Sequence, residues 1–257
     1  MDDRNDGLWG HDAYCDAVEA EIARFVAVIE EAGPATPVPT CPGWTIAKLA
    51  KHVGITHRSV EYMVRNKLRE RVSPRDVPAD LPADESGQVA WLKDGGARLV
   101  ATLRAADPGI PVWGFGGAGH VRFWSRRMLH EITVHRADAE LALGADSEIA
   151  PDQAVDGIEE LLYVILRVER VNERLRELGG NGETLHLHAT DKDGEWMITL
   201  RPEGFTTVRG HGTGTVAVRG TASDLLLLLY GRLKPGSRCA VYGDDALLTR
   251  WLEKSAV

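Results

Sequence analysis

Cysteine is scarce in this chain of 257 residues: three, at positions 15, 41 and 239, with no CxxC spacing among them. That pattern argues against both a disulfide framework and a thiolate zinc cluster, and reduced thiols are expected. Long apolar runs are also missing. The longest, residues 225–230, falls far short of the roughly 20 residues that a membrane-spanning helix needs. Basic residues are not in excess either, with 30 Lys and Arg against 38 Asp and Glu and a formal net charge of -8. This balance argues against nucleic acid or an anionic membrane as partner. The opening MDDRNDGLWGHD lacks the apolar stretch of a secretion signal. A cytoplasmic protein is expected, and a monomer, because no long apolar stripe is left unassigned.

One uninterrupted stretch does stand out. FWSRRMLHEITVHRADAELA, residues 123–142, contains neither Pro nor Gly and reads as one helix of about five turns. Its apolar stripe is Trp124, Met128, Ile132, Ala139 and Ala142. Glu131 and His135, about 40° apart around the helix, fall inside that stripe. A carboxylate so placed needs a partner. Either Glu131 pairs with His135 or with Arg127 one turn back, or Glu131 and His135 are two metal ligands on one face. The string HEITVH is not the HExxH motif, since His130 and His135 are about 140° apart and cannot share a metal from one face. A third ligand would have to come from elsewhere.

Upstream, Val18, Ile22, Phe25 and Ile29 mark an amphipathic helix over residues 12–32, with Cys15 on the same stripe as a small core residue. A proline-rich loop holding Cys41 follows, and Thr45 is positioned to cap a helix with Ile46, Leu49, Ala50 and Val53 on its apolar face. His52 lies on the rim of that face and His57 further round; a lone rim histidine is most often satisfied within the core. Residues 70–87, rich in Pro and Asp, read as a surface loop or lid. Residues 88–105 resume a helix through Leu92, Leu99 and Leu103. GFGGAG then reads as a flexible connection: it lacks a following Lys-Ser/Thr and a preceding strand, as a phosphate loop requires.

Residues 151–178 read as one more helix with Ala154, Ile158, Leu161, Ile165 and Val168 on its stripe. Gly179-Gly180-Asn181-Gly182 ends it and the period changes, so the domain boundary is expected there, giving 1–178 and 183–257. LHLHATD, GEWMITL, FTTVRG and TVAVRG are short alternating segments divided by turns, an antiparallel sheet by pattern. ASDLLLLLYGR, SRCAVYG and DDALLTRWLEK follow as helix, strand and helix. His186 and His188 share one strand face, and with no third ligand nearby in the sequence they are expected to be exposed strand residues. The fold class is therefore α+β, a helical N-terminal part followed by a small α/β domain.

Three stretches, TCPGWTIAKLAKHVG, WSRRMLHEITVHRADAELALG, and ASDLLLLLYGR with VYGDDALLTRWLEK, carry a resemblance to the mycothiol-dependent maleylpyruvate isomerase family. The resemblance implies a DinB-like four-helix bundle followed by a small α/β cap. It implies a metal triad of His52, Glu131 and His135, and an Arg facing the site after the Leu-rich helix, Arg232. Trp44, Arg136 and Asp138 match positions near the thiol cofactor, the last two as supporting or structural residues, with Asp138 orienting His52 or a thiol amine. The implied cofactors are a divalent metal, zinc by preference, and mycothiol. The implied partners are that thiol and a small electrophile, which undergoes thiol-assisted cis-trans isomerisation or S-transfer. Metal-water hydrolysis and metal binding without catalysis are the competing readings.

Overall fold

A computed structural model describes residues 7–73, 75–115 and 117–257. Residues 1–6 of the acidic opening, Pro74 of the acidic loop and Gly116 of the glycine run lie outside the described residues. No helix among those described is long and apolar enough to cross a membrane. The chain divides into two compact units, one ending at Ser147 and the other beginning at Glu148.

The first unit holds α1 (His11–Glu31), α2 (Ile46–Arg65), α3 (Gln88–Ala105) and α4 (Val121–Ala142). Helix α1 packs on α3 and α4, and α2 on α3 and α4, which makes a four-helix bundle. The expected cap forms, the Thr45 side chain accepting from the Lys48 N–H, and His120 caps α4 by accepting from the Phe123 N–H. The α2–α3 contact is close because glycines line it. A Cβ on Gly54 would stand 2.1 Å from the Trp91 ring, and one on Gly95 would stand 2.1 Å from Arg58. Across the bundle, Arg136 of α4 donates to Glu21 of α1 at 2.6 Å and to Glu140 at 2.6 Å, a buried clasp between the two helices.

The glycine run is more ordered than a flexible connection. It forms a hairpin of β1 (Pro111–Gly114) and β2 (Gly117–His120) that leads into α4. Gly114 and Gly119 explain it, since a Cβ on either would come within 2.9 Å of the other's Cα. Two strands approach this closely only without side chains there.

The second unit starts with α5 (Pro151–Tyr163), a 3-10 turn (Ile165–Arg167) and α6 (Glu169–Arg176). The single helix expected over 151–178 is thus broken after Tyr163. Helix α5 packs on α7 (Ala222–Leu229), whereas α6 packs on α8 (Asp245–Ser255), and a straight helix does not serve both partners. These contacts also explain why the units divide before α5 and not at residues 179–182. The period changes at the glycines, but the preceding helices already belong to the sheet.

That sheet has the order β5 (Gly204–Arg209), β4 (Glu195–Arg201), β3 (Thr184–Ala189), β6 (Val216–Gly220), β7 (Ala240–Gly243). Three neighbour pairs are antiparallel, but β3 and β6 run parallel, so the antiparallel reading holds for all but the central pair. Leu185 and Leu187 of β3, Trp196 and Ile198 of β4 and Val216 and Val218 of β6 are buried on the core face. His186 and His188 alternate onto the other face.

Candidate metal centre

Helices α2 and α4 bring His52, Glu131 and His135 together in the bundle. His52 Nε2 lies 3.2 Å and His135 Nε2 3.3 Å from the same carboxylate oxygen, Glu131 Oε1. The two imidazoles stand edge to face, 4.9 Å between centroids. One ligand atom from each residue lies within 4.8 Å of the others. Around a tetrahedral zinc ion with bonds near 2.0–2.1 Å, ligand atoms are roughly 3.3 Å apart. The two His–Glu distances already match that spacing.

The surroundings orient Glu131 and His135. Arg127 Nη2 donates to Glu131 Oε2 at 3.0 Å, which leaves Oε1 as the free ligand atom. His135 Nδ1 donates at 2.9 Å to Asp138 Oδ2, a fully buried carboxylate, which leaves Nε2 facing the centre. Asp138 in turn accepts from Thr40 Oγ1 at 2.6 Å and from Cys41 Sγ at 3.5 Å. The Trp44 ring sits 5.1 Å from His52 and 6.5 Å from His135, nearly parallel to the latter. Side-chain exposure falls from 39% at His52 through 24% at Glu131 to 12% at His135, so His52 is the solvent side of the triad.

Charge follows from these contacts. Burial opposes ionisation of Glu131, but hydrogen bonds from His135 and His52 and the Arg127 charge outweigh it and hold the carboxyl well below its usual range. Burial likewise disfavours charge on His135, yet Asp138 and Glu131 raise its pKa from 6.5 to about 9. The two carboxylates thus favour the protonated form of His135. A metal would displace the Nε2 proton.

Other expected residues fall differently. Asp138 orients His135 and not His52, because His135 lies one turn back on the same helix. Arg136 is engaged by Glu21 and Glu140 in the α1–α4 clasp. Cys41, expected in loop packing, does pack in its loop, and its thiol also reaches Asp138 behind the triad. Thr40 beside it gave no signal, since a lone threonine before a cysteine has no motif. His57, one turn and a residue beyond His52, is buried and is not among the three clustered ligand-type residues. Arg232, just beyond α7, donates to the Tyr230 carbonyl at 2.6 Å.

Family models match both units: the mycothiol maleylpyruvate isomerase N-terminal domain over residues 15–140 and the C-terminal domain of the same family over 152–250. The chain belongs to the mycothiol maleylpyruvate isomerase family. Among solved structures, that of a mycothiol-dependent maleylpyruvate isomerase is similar at 14% identity and TM-score 0.62, covering 91% of this chain and 93% of the other. A histidine-to-alanine mutant of such an isomerase matches over the same shares at 13% identity, also with TM-score 0.62. At these identities the two structures establish the shared fold. No curated protein sequence matches. In this chain, α2 and α4 bring the candidate metal-ligating residues His52, Glu131 and His135 together.

Proposed function

We propose that this chain is a metal- and mycothiol-dependent enzyme that isomerises, or transfers a thiol to, a small electrophilic acid of the maleylpyruvate type. The supporting observation is the convergence of two imidazole nitrogens and one carboxylate oxygen, with His135 oriented by Asp138 and Glu131 by Arg127. Nitrogen and oxygen donors of this kind fit zinc or a neighbouring divalent ion, and three protein ligands leave a fourth position open. A structural site would close with four. An ion bound there would supply a lowered thiol pKa, so that an external thiol, ordinarily near 8.5, ionises at neutral pH.

The chain's own residues do the rest. His52, Glu131 and His135 would hold a divalent ion, and Glu131, the one charged member of the set, would leave the centre a net positive charge that favours a thiolate. Asp138 and Arg127 lock His135 and Glu131 in their ligating orientations. Trp44 packs beside both imidazoles. The thiol sulfur then adds to the activated double bond of the acid. The adduct turns about the resulting single bond, and elimination of the same thiol restores the double bond in the other geometry. In S-transfer the new C–S bond is kept, and the carbanion left by the addition takes up a proton equivalent to the one the thiol released. Family resemblance, and no distance, assigns Arg232 to the substrate carboxylate, where a guanidinium makes a charge-assisted pair.

The test compares wild-type protein, purified without an affinity tag, with His135→Ala. The variant should bind one equivalent less metal and lose mycothiol binding by calorimetry, with an unchanged far-UV spectrum. Full metal occupancy in the variant would sink the assignment. Turnover of an electrophile without any thiol would replace it with a hydrolase.

A further inference from the structure

The sheet of the second unit carries another cluster on the face opposite its core. Strand β3 contributes His186 and His188, β4 contributes Glu195 directly opposite His188, and the loop after β5 contributes His211. Three ring nitrogens aim at one oxygen. His211 Nδ1 lies 2.7 Å, His186 Nε2 2.8 Å and His188 Nδ1 3.5 Å from Glu195 Oε2. One ligand-type atom from each of the four residues lies within 4.8 Å of all the others. His186, expected to be exposed, is 6% exposed.

An oxygen with two lone pairs cannot serve three imidazoles well. A cation at their centre would use one lone pair from each nitrogen and one from the carboxylate. The loop is shaped for this convergence. In RGHGTGT a glycine precedes and follows His211, and Gly210, at φ +145°, takes a conformation that favours glycine. Its N–H donates to the Glu195 carbonyl at 2.9 Å, which anchors the loop at β4. A Cβ on Gly212 would stand 3.1 Å from Met197 Sδ, and one on Gly214 would stand 2.9 Å from the His186 backbone nitrogen. The loop lies flat on the strands and delivers His211 to the other three.

We propose that His186, His188, Glu195 and His211 form a second metal site, for a zinc-type divalent cation, that fastens the 210–215 loop to the sheet. Three imidazoles select against magnesium and calcium, which take oxygen donors. Four ligands close a tetrahedral shell, so this site has a structural role, unlike the open triad in the bundle. A shell of that size spaces ligand atoms roughly 3.3 Å apart. The 3.5 Å contact is already near that spacing, and the two short contacts need to open by about half an ångström. His211, with a side chain 77% exposed, is free to make that movement and is the entry side.

The experiment uses full-length protein, purified without an affinity tag, stripped with chelator and reloaded with Co2+ as probe. His188→Ala/His211→Ala should bind one equivalent less than wild type by elemental analysis and lose the share of the visible Co2+ absorption that His135→Ala leaves in place. His211→Ala alone, an exposed position, should weaken that binding at least roughly tenfold with an unchanged far-UV spectrum. Equal metal content in wild type and the double variant overturns the proposal. So does an affinity that His211→Ala leaves unchanged. His135→Ala removes its equivalent from the bundle, so the two assignments fail independently.

Discussion

His135 is held at both nitrogens, with Nδ1 2.9 Å from Asp138 and Nε2 3.3 Å from Glu131. The first contact sets the ring's tautomer and orientation, and the second marks where a ligand atom points. A carboxylate behind a metal-bound imidazole also raises its basicity.

Asp138→Asn tests that arrangement with little change in volume. The neutral amide keeps a hydrogen-bonding oxygen but removes the negative charge behind His135. Metal affinity at the bundle site should fall by about 10- to 100-fold in a chelator competition, with the helical spectrum retained. Unchanged affinity would show that Asp138 does not tune the site.

His57 predicts a pH dependence of stability. Burial between α2 and α3 lowers its pKa from 6.5 to about 4, with the neighbouring Arg58 adding to the effect and Glu131 opposing it. Its Nδ1 has no hydrogen-bond partner among the described residues. Between these two values the unfolded chain binds the proton and the folded chain does not. Stability from this group is thus full above about pH 6.5 and is lost as pH falls toward 4, by about 3 kcal/mol. Urea titrations across that window should show the loss, and His57→Leu should flatten it. An equal slope in the variant would assign the acid sensitivity to other groups.

Much of the first unit was readable because its helices obey a single period. Residues 123–142 announced α4, Thr45 announced its own cap, and Glu131 with His135 announced a polar pair on an apolar face. The third ligand was not readable from spacing. His52 lies on a separate helix, and only family resemblance or three-dimensional packing joins it to α4. The contact of Asp138 with His135 was not readable, because a carboxylate suits either histidine until the helix geometry chooses. The His186 cluster stayed hidden for a related reason. Its members come from two strands and a loop, and strand register, which sets Glu195 opposite His188, is not fixed by alternation alone. The break after Tyr163 was masked because both α5 and α6 continue a helical apolar pattern while facing different partners.

Gly54→Ala tests the close α2–α3 contact. The added methyl would stand 2.1–2.9 Å from three carbons of the Trp91 ring. That ring is pinned, its Nε1 donating to the Ala79 carbonyl at 2.7 Å and the Arg58 guanidinium lying 4.1 Å from its centroid. Alanine would gain about 1 kcal/mol of helix propensity, but overpacking should exceed this and leave a net loss of about 1–3 kcal/mol. Thermal unfolding measures the difference. A stability equal to or above wild type would mean that the ring gives way.

Arg232→Ala separates substrate binding from metal binding. The guanidinium donates to the Tyr230 carbonyl, two residues away in the same turn, and is not one of the three clustered ligand-type residues of the bundle. Metal content and mycothiol titration should therefore match wild type. If Arg232 holds a substrate carboxylate, its removal forfeits a charge-assisted hydrogen bond of about 1.5–3 kcal/mol, which corresponds to about a 10- to 100-fold drop in kcat/KM. A carboxylate contact made equally in ground and transition states raises KM and leaves kcat in place; one that strengthens during thiol addition lowers kcat instead. The split is measured best on paired electrophiles, one acidic and one its methyl ester. A deficit confined to the acid identifies the carboxylate as the group that Arg232 recognises, and an equal response to both would remove Arg232 from the substrate site.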